Sequence, residues 1–345
     1  MLALAAPAIE LLDPDPTDPR LADVGAKPRA WVDGRTMTIA IRRPGEAPFL
    51  IGTVHERMRS AGHGCWALRF DVPGIERATI DYAIVDPVAH QRFDMHTWRG
   101  PRAGAEAPRT IVPVPEPEVI QSSEIGTRHP LRTWTPPDPR ALLVCADGEG
   151  LAAWVSVIAA AEEPVAVVGI ESAGLSYRVG DENRDYDSSA DPRARAYLRD
   201  VDPPYFGLHR DYVLEAVIPW AEAQFGRLPR LAFGVSNGAA WATAMGAIHP
   251  GAFDGVLAFS LGMPPSRPLS RGSALPHALV AGQLEPGFHE ATRRYAWRLR
   301  AREIPVRLRR PVRGHDLSMW QDELVPALRW VLQRCNSSAP SQADR

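Results

Sequence analysis

The chain has 345 residues, of which 45% are hydrophobic, and a formal net charge of −2. This length allows one large core plus a smaller domain, and the near-neutral charge gives no indication of a nucleic-acid partner. Its 3 cysteines are widely spaced and form neither a disulfide framework nor a metal-ligand pattern.

The first segment, residues 1–30, holds many prolines and aspartates and little periodicity, which indicates a partly ordered leader with one short helix. Its apolar start, MLALAAPAIELLDPDP, has no basic residues before it and is soon interrupted by acids and prolines, so it is a poor signal peptide. No apolar run is long enough to span a membrane. We therefore expect a cytoplasmic protein without a membrane partner.

Residues 31–100 consist of short runs separated by turns, such as TMTIAIRR, PFLIGTV, CWALRFDV and TIDYAIVD. The alternation in WALRFDV and the frequent β-branched and aromatic residues predict a small antiparallel β-sandwich. Residues 101–140 contain many prolines, as in PVPEPE and TPPDP, and predict a linker or an extended wrap between two domains.

Residues 141–335 show near-continuous apolar runs that alternate with helix-like segments. Such runs indicate strands buried on both faces, and the alternation predicts an α/β fold with a mostly parallel sheet and helices on both sides. We predict strands at 141–146, 165–170, 230–235, 255–260, 277–282 and 304–309, and helices at 150–161, 210–225, 238–247, 288–302 and 319–334. A disordered tail is predicted for 336–345.

One segment of this second part, residues 171–210, is long, polar and poor in periodicity. Loops of this length in compact domains are usually functional or mobile. The sequence leaves open whether the segment is an ordered lid.

The motif GVSNG, residues 234–238, lies between a strand-like run and a helix-like run rich in small residues. A nucleophile elbow needs this setting, with glycines that let the strand and the helix pass closely. The start of the helix also places positive dipole near developing negative charge. We predict that Ser236 is a nucleophile; the alternative is an ordinary serine in a tight strand-to-helix turn.

A serine nucleophile needs an acid and a base, which follow it along the chain in that order in the elbow fold. His315 is the candidate base, because it lies in RGHDLSMW, between the last strand and the last helix, and Gly314 frees the backbone there. Glu285 is the candidate acid, because it follows the strand HALVAG. Asp316 and Glu290 are alternatives that also fit roles in loop structure and on a helix surface.

An oxyanion hole needs two N–H groups. Asn237, the residue after the nucleophile, supplies one, and a loop after an early strand supplies the other. The turn Asp147-Gly148-Glu149 in LLVCADGEGLAAW is the candidate loop, although ADGEG also fits a plain turn.

Several motifs occur in a characteristic order: LVCADGEGLAAW, NRDYD, FGVSNGAAWA, VAGQLEPGF and RGHDLSMW. Together they resemble the esterase branch of the α/β-hydrolases that includes the enterochelin (ferric enterobactin) esterases, over roughly residues 120–335. GCWALRFDVPGIERATIDYAIVD, followed by WRGPRAGAEAP, resembles the β-sandwich that precedes the hydrolase domain in enterochelin esterases.

This resemblance implies an α/β-hydrolase fold and hydrolysis of ester bonds in the trilactone of a ferric siderophore, without a metal or organic cofactor in the chemistry. It implies Ser236 as nucleophile, His315 as base, an acid near Glu285, and the N–H groups of Asn237 and Glu149 as oxyanion donors. It also implies that the N-terminal domain shapes the pocket. Arg184, Arg313 and Trp320 are candidate substrate-binding residues.

Between 293 and 313 the chain carries nine arginines and one acid, Glu303. A basic rim beside His315 would steer an anionic ferric catecholate. The alternative is a solvated helix face in a chain whose basic residues are almost all arginine.

Three functions therefore remain open: a serine esterase, an acyltransferase or thioesterase that uses the same triad, and a non-catalytic binding protein. The first two share the acyl-enzyme step, so the sequence does not separate them. The natural ester and the oligomeric state also stay open.

Overall fold

The computed structural model describes residues 9–85, 94–116, 129–172, 191–249, 251–266 and 269–338. The N-terminal part is built from short strands, where polar and buried side chains alternate most clearly in β7. The strands are β1 (Glu10–Leu12), β2 (Arg29–Asp33), β3 (Thr36–Arg42), β4 (Phe49–Ile51), β5 (Glu56–Arg57), β6 (Arg59–Gly62), β7 (Cys65–Asp71), β8 (Thr79–Val85) and β9 (His96–Arg99).

These strands form two antiparallel sheets that share one core. One sheet has the order β1-β7-β3-β2, with β6 also paired to β7, and the other has the order β5-β4-β8-β9. Side chains from both sheets are fully buried between them, including Met37, Leu68 and Ile80. The N-terminal part is thus the predicted sandwich, with one strand, β1, drawn from the predicted leader.

The second part is a seven-stranded sheet in the described residues, with the order β10-β12-β11-β13-β14-β15-β16. All neighbours are parallel except β10, which pairs antiparallel with β12. Its strands are β10 (Leu131–Trp134), β11 (Ala141–Cys145), β12 (Val165–Ile170), β13 (Arg230–Val235), β14 (Gly255–Phe259), β15 (His277–Val280) and β16 (Val306–Arg309).

Helices cover both faces of this sheet. They are α1 (Leu151–Ala160), α2 (Pro192–Tyr197), α3 (Pro203–Tyr212), α4 (Ile218–Phe225), α5 (Asn237–Ile248), α6 (Pro286–Arg300) and α7 (Leu317–Ser338), with a π-helical turn, Val213–Val217, between α3 and α4. Side chains of α1 and α7 fill the core on one face, and those of α2 to α6 fill the core on the other. The predicted α/β fold with a preceding β-sandwich is therefore confirmed.

The strand order reverses at β11, which has β12 on one side and β13 on the other. In open α/β sheets the crevice beyond the carboxyl ends of the strands at such a reversal is the usual ligand site. The loops after β11 and β13 carry the candidate oxyanion turn and Ser236, so the topology brings both to this crevice.

Three segments differ from the sequence-based expectation. β10 lies within the predicted linker 101–140, where four residues between prolines were too short to show a pattern. Residues 192–197 and 203–212, within the predicted loop 171–210, are short helices that begin at a proline behind a capping aspartate. Helix α7 also continues past the predicted boundary at 335; residues 339–345 of the predicted tail lie outside the described residues, as do 173–190.

The two parts share side chains. Leu284, in the loop after β15, is fully buried in the hydrophobic core of the sandwich, and Val312, in the loop after β16, packs against the same core. The loops that carry the candidate acid and base are therefore seated in the N-terminal domain. Within the described ranges we find no helix that is long and apolar enough to cross a bilayer.

Candidate active site

Ser236 occupies a sharp turn between β13 and α5. Its backbone has φ 55° and ψ −120°, a positive-φ conformation that a non-glycine residue adopts only when the surrounding structure enforces it. The Ser236 N–H donates to the carbonyl of Phe259 at 2.9 Å, which ties the turn to the end of β14. A nucleophile elbow requires a strained strand-to-helix turn of this kind, and the role of Ser236 as nucleophile stays a prediction.

The glycines of the motif make this turn sterically possible. A Cβ on Gly234 would lie 2.1 Å from the carbonyl oxygen of Gly238, so no larger residue fits where strand and helix cross. A Cβ on Gly238 would lie 3.0 Å from both Ala146 and the Asp147 carboxylate. The elbow and the turn after β11 are thus in close contact.

Glu285 and His315 form a direct pair. His315 Nδ1 lies 2.6 Å from Glu285 Oε2, and their side chains are 17% and 1% exposed, respectively. A carboxylate only accepts hydrogen bonds, so Nδ1 carries the proton and Nε2 is left free to act as a base. The two residues singled out in the sequence are therefore brought together.

Ser260 also contacts this pair, and the sequence analysis missed it. Its hydroxyl lies 2.8 Å from Glu285 Oε1, which also accepts the Gly282 N–H at 2.6 Å. Trp320 Nε1 donates to the same hydroxyl at 2.8 Å. The available clue was the position of Ser260 directly after β14, at the carboxyl edge where ligands bind.

Aromatic rings surround the His315 imidazole. The Phe288 ring lies at a centroid distance of 4.3 Å and is tilted by 31°, and Trp320 meets the imidazole edge-on at 4.9 Å. His55, from the N-terminal domain, approaches edge-on at 6.2 Å. His55 is thus a second residue near the site that sequence reasoning missed, because nothing in GTVHE connects it with the distant motif RGHD.

The N-terminal domain also holds the backbone of the His315 loop. The carbonyl of Gly52 accepts the His315 N–H at 2.9 Å. At the neighbouring position, a Cβ on Gly314 would lie 2.1 Å from the same carbonyl oxygen. The sandwich and the histidine loop are therefore in backbone-to-backbone contact.

Arg313 lies in this interface rather than in an open pocket. Its guanidinium donates to the carbonyl of Thr79 at 3.2 Å and to Ser318, and it is paired with Asp322. Only 15% of its side chain is exposed. These contacts give Arg313 a role in domain packing, and its predicted role in substrate binding gains no support from them.

A buried carboxyl, Asp316, braces the same loop. It accepts hydrogen bonds from the N–H groups of Met319 and Gly314 and from the Ser318 hydroxyl. That hydroxyl also lies 3.0 Å from Asp81 of β8. Burial raises the pKa of Asp316 to about 6, against its hydrogen bonds, and the nearby charge of Asp81 adds to the rise.

The turn after β11 is held from three sides. The Asp147 N–H donates to the Tyr197 hydroxyl at 2.9 Å, and the Asp147 carboxylate makes a two-point ion pair with Arg193 at 2.6 and 2.8 Å. The Glu149 side chain accepts the hydroxyl of Ser172 at 2.6 Å. These contacts fix the conformation of the turn that carries Glu149.

Burial raises the pKa of the Glu149 carboxyl, while the hydrogen bond from Ser172 opposes the rise. The N–H of Asn237 begins α5 and is one of the donors that have no partner within a helix. The role of the Glu149 and Asn237 N–H groups as oxyanion donors stays a prediction.

Ser236 and His315 are linked through the carboxyl edge of the sheet. The N–H of Ser236 donates to the carbonyl of Phe259. Ser260, which follows Phe259, contacts Glu285, and Glu285 contacts His315. Within the described part of the chain no hydrogen bond joins Ser236 directly to His315. Catalytic hydrogen bonds of this kind are often long until substrate binds.

A cleft of about 310 Å³ opens beside the elbow helix, one face of which it follows through Ala240 and Ala244. These residues lie one and two turns beyond Ser236 on the same face of α5. The opposite wall comes from 262–266, after β14, and from Tyr197 and Arg199. The cleft has the size of a small-molecule site.

The predicted arginine rim is largely engaged in fold contacts. Arg309 pairs with Glu323, and other arginines of the segment donate to backbone carbonyls or pair with Glu290, namely Arg293, Arg294, Arg298, Arg302 and Arg307. This favours the structural interpretation of the segment. The remaining substrate-binding candidate, Arg184, lies outside the described residues, as does NRDYD.

Comparison with known proteins gives a family for most of the hydrolase domain. A family model described as "Putative esterase" matches residues 143–341. No curated protein sequence matches the chain significantly. Among the described residues, no group of three or more histidine, cysteine, aspartate or glutamate side chains could hold a metal ion.

Solved structures of similar fold cover almost the whole chain. Enterochelin esterase from Shigella flexneri has a TM-score of 0.58 and 14% identity, covering 92% of this chain and 98% of its own. The enterobactin esterase from Shigella flexneri described with enterobactin has a TM-score of 0.60 and 15% identity, covering 89% and 96%. Ferric enterobactin esterase from Salmonella typhimurium has a TM-score of 0.59 and 15% identity, covering 91% of this chain and 98% of its own. At these identities the likeness shows the fold.

Proposed function

The chain belongs to the esterase family whose model it matches, and on this premise we propose that it is a serine esterase that works through an acyl-enzyme on a siderophore-like ester. Family and fold together support an ester-cleaving hydrolase. The serine mechanism, the residues that carry it and the substrate are the proposal.

The observation that carries this proposal is the strained backbone of Ser236 beside an oriented acid–histidine pair. An ordinary serine has no need of φ 55° and ψ −120°. Glu285 and His315, 2.6 Å apart, follow β15 and β16 at the same edge of the sheet as Ser236. The serine, the acid and the base occur in the chain order that α/β-hydrolases require.

In the first half-reaction the Ser236 hydroxyl attacks the ester carbonyl and His315 Nε2 takes its proton. Glu285 stabilises the imidazolium that forms, through the hydrogen bond at Nδ1. The start of α5 presents the N–H of Asn237 to the developing oxyanion, with that of Glu149 as second donor. The imidazolium then gives its proton to the leaving alkoxide.

In the second half-reaction His315 takes a proton from water, which attacks the acyl carbonyl and releases Ser236. An acyl transferase or thioesterase would share the first half-reaction and differ only in the acceptor or the leaving group. Product analysis with and without added alcohols and amines distinguishes these outcomes. The reaction draws on no metal or organic cofactor in this proposal.

The substrate proposal draws on the two-domain architecture. The solved structures with the same architecture are enterobactin or enterochelin esterases, and one is described in the presence of enterobactin. In this chain the sandwich reaches the histidine loop through Gly52 and His55. A substrate wide enough to touch both domains, such as a siderophore trilactone or peptide ester, fits this arrangement. We propose the cytoplasm as its place of action.

Covalent labelling tests the serine mechanism. A fluorophosphonate should add to wild type at Ser236, located by peptide mass spectrometry, and should not add to Ser236→Ala. Ser273→Ala, a change in a loop remote from the elbow, is the matched control and should label fully. The Ser236→Ala variant should lose on the order of 10⁶ in kcat; more than a tenth of wild-type activity would refute the elbow assignment.

A mass-spectrometric screen tests the substrate class. The panel comprises ferric and iron-free siderophores, acyl-thioesters, aryl esters and sugar esters. We expect the highest kcat/KM for a siderophore ester. A thioester or sugar ester turned over faster by a factor of ten or more would exclude the siderophore proposal while leaving the serine mechanism intact.

A further inference from the structure

A buried chain of polar groups leads to the back of the candidate acid. Trp320 Nε1 lies 2.8 Å from Ser260 Oγ, and Ser260 Oγ lies 2.8 Å from Glu285 Oε1. Ser260 is 0% exposed and Glu285 2% exposed, so water does not compete for these contacts. The chain ends at His315, through the other oxygen of Glu285.

The direction of each hydrogen bond in this chain is fixed by chemistry. An indole N–H can only donate, so Ser260 Oγ accepts from Trp320. The one proton of the hydroxyl is then available for Glu285 Oε1, which also accepts the Gly282 N–H. With Oε1 saturated by two donors, Oε2 is directed to His315 Nδ1.

The backbone of Ser260 indicates that this placement is built in. Ser260 has φ 55°, a conformation that is unfavourable for a non-glycine residue. Its N–H donates to the carbonyl of Val280 at 2.7 Å, which fixes the residue between β14 and β15. The strained conformation aims the hydroxyl at the loop that carries Glu285.

We propose that Ser260 and Trp320 are positioning residues that fix the orientation of the Glu285 carboxylate toward His315. They hold Oε2 against His315 Nδ1, so that the imidazole presents Nε2 to Ser236. This inference rests on the proposed function for its catalytic meaning. In this proposal Trp320 positions the acid, whereas the sequence analysis named it as a candidate substrate-binding residue.

The test compares Ser260→Ala, Trp320→Phe and their double variant with a control, Trp330→Phe on the same helix. Kinetics with a small p-nitrophenyl ester give kcat and KM separately. Proton NMR of the low-field Nδ1–H resonance of His315 reports the pair without any need for turnover. Thermal unfolding shows which variants are folded, and Trp320→Phe, which keeps the ring beside His315, carries the test if Ser260→Ala does not fold.

We expect Ser260→Ala to lower kcat about 10- to 100-fold, the rate equivalent of one hydrogen bond to a charged group, and Trp320→Phe to lower it about 2- to 10-fold, that of a hydrogen bond between neutral groups. KM should change less than about 2-fold in both variants. The double variant should be no worse than Ser260→Ala, because both changes interrupt one chain. The Nδ1–H resonance should move upfield in the variants and stay in place in Trp330→Phe.

Unchanged kcat and an unchanged resonance in both variants would overturn the inference. So would a Trp320→Phe variant that raises KM and leaves kcat alone, since that is the behaviour of a substrate wall. Failure of the serine mechanism has a different result: wild type would resist the fluorophosphonate, and the His315 resonance would still report whether Ser260 and Trp320 orient the pair.

Discussion

Gly52 and His315 are joined by a backbone hydrogen bond of 2.9 Å that crosses from the N-terminal sandwich to the hydrolase domain. The donor is the N–H of the candidate base itself. The sandwich is therefore part of the framework that holds the acid–histidine pair. Four predictions test this framework and the chemistry of the pair.

The first prediction concerns the contact at Gly314. In Gly314→Ala the new Cβ would lie 2.1 Å from the Gly52 carbonyl oxygen, so the histidine loop and the sandwich must separate by about 1 Å. A misplacement of this size costs on the order of 100-fold in kcat. Steady-state kinetics with a small activated ester measures it. Gly104→Ala, where the added Cβ meets nothing within 4 Å, should behave as wild type.

The second prediction concerns Leu284, the residue before the candidate acid. Both Leu284→Ala and Leu50→Ala remove a fully buried leucine from the sandwich core, and each should cost about 2 to 5 kcal/mol of unfolding free energy. Only Leu284→Ala should also lower kcat, because only this residue seats the Glu285 loop. Equal kcat values in the two variants, compared at the same folded fraction, would show that the burial of Leu284 does not affect the Glu285–His315 pair.

The third prediction concerns the polarity of the acid. In Glu285→Gln, the two donors at the Oε1 position, Gly282 and Ser260, select the amide oxygen, so the NH₂ group faces His315 Nδ1. The imidazole must then carry its proton on Nε2, which removes the base. We expect a loss of about 10⁴-fold in kcat, the known effect of a wrong tautomer in a serine triad. A loss under tenfold, with Glu290→Gln as the surface control, would argue against Glu285 as the acid.

The fourth prediction is a pH dependence of stability. The pKa of Asp316 is about 6 in the folded protein, against an ordinary value of 3.8. Because the folded value is raised, the folded state favours the protonated group. The contribution to stability is complete below about pH 4 and is lost as the pH rises through 6, with a limit of about 3 kcal/mol.

Urea unfolding of wild type and Asp316→Asn at several pH values between 4 and 7 measures this effect. Wild type should lose stability relative to Asp316→Asn as the pH rises, because only wild type carries the titrating group. A difference that is independent of pH would contradict the raised pKa. The single proton of Ser318, shared between Asp316 and Asp81, gives an independent reason to expect a protonated carboxyl here.

Most of the hydrolase half was predictable from the sequence because its strands are buried on both faces and helices such as α6 and α7 are long. The run RLAFGV is a strand with five of its six residues buried, and GVSNG fell at its end. Glu285 and His315 could be paired from chain order alone. Chain order predicted that the two residues lie close together, but it did not predict Ser260 and Trp320, which contact the acid.

The missing parts were those that depend on contacts between distant segments. Ser260 looks like any small polar residue at the end of a strand, and its role arises only from Trp320 and Glu285. Arg313 reads as a basic residue beside a catalytic motif, yet its donors are taken by Thr79 and Asp322. Such pairings join residues far apart in the chain, and no local pattern records them.

The position of Leu284 has a consequence for the biosynthesis of the chain. The sandwich strands end at Arg99, but the core they enclose is completed by a side chain about 185 residues later. At 5 to 20 residues per second, a ribosome needs about 10 to 40 s to cover that distance. During this interval the sandwich lacks one of the side chains that fill its core. The domain that is made first is thus completed only when the loop after β15, made much later, folds against it.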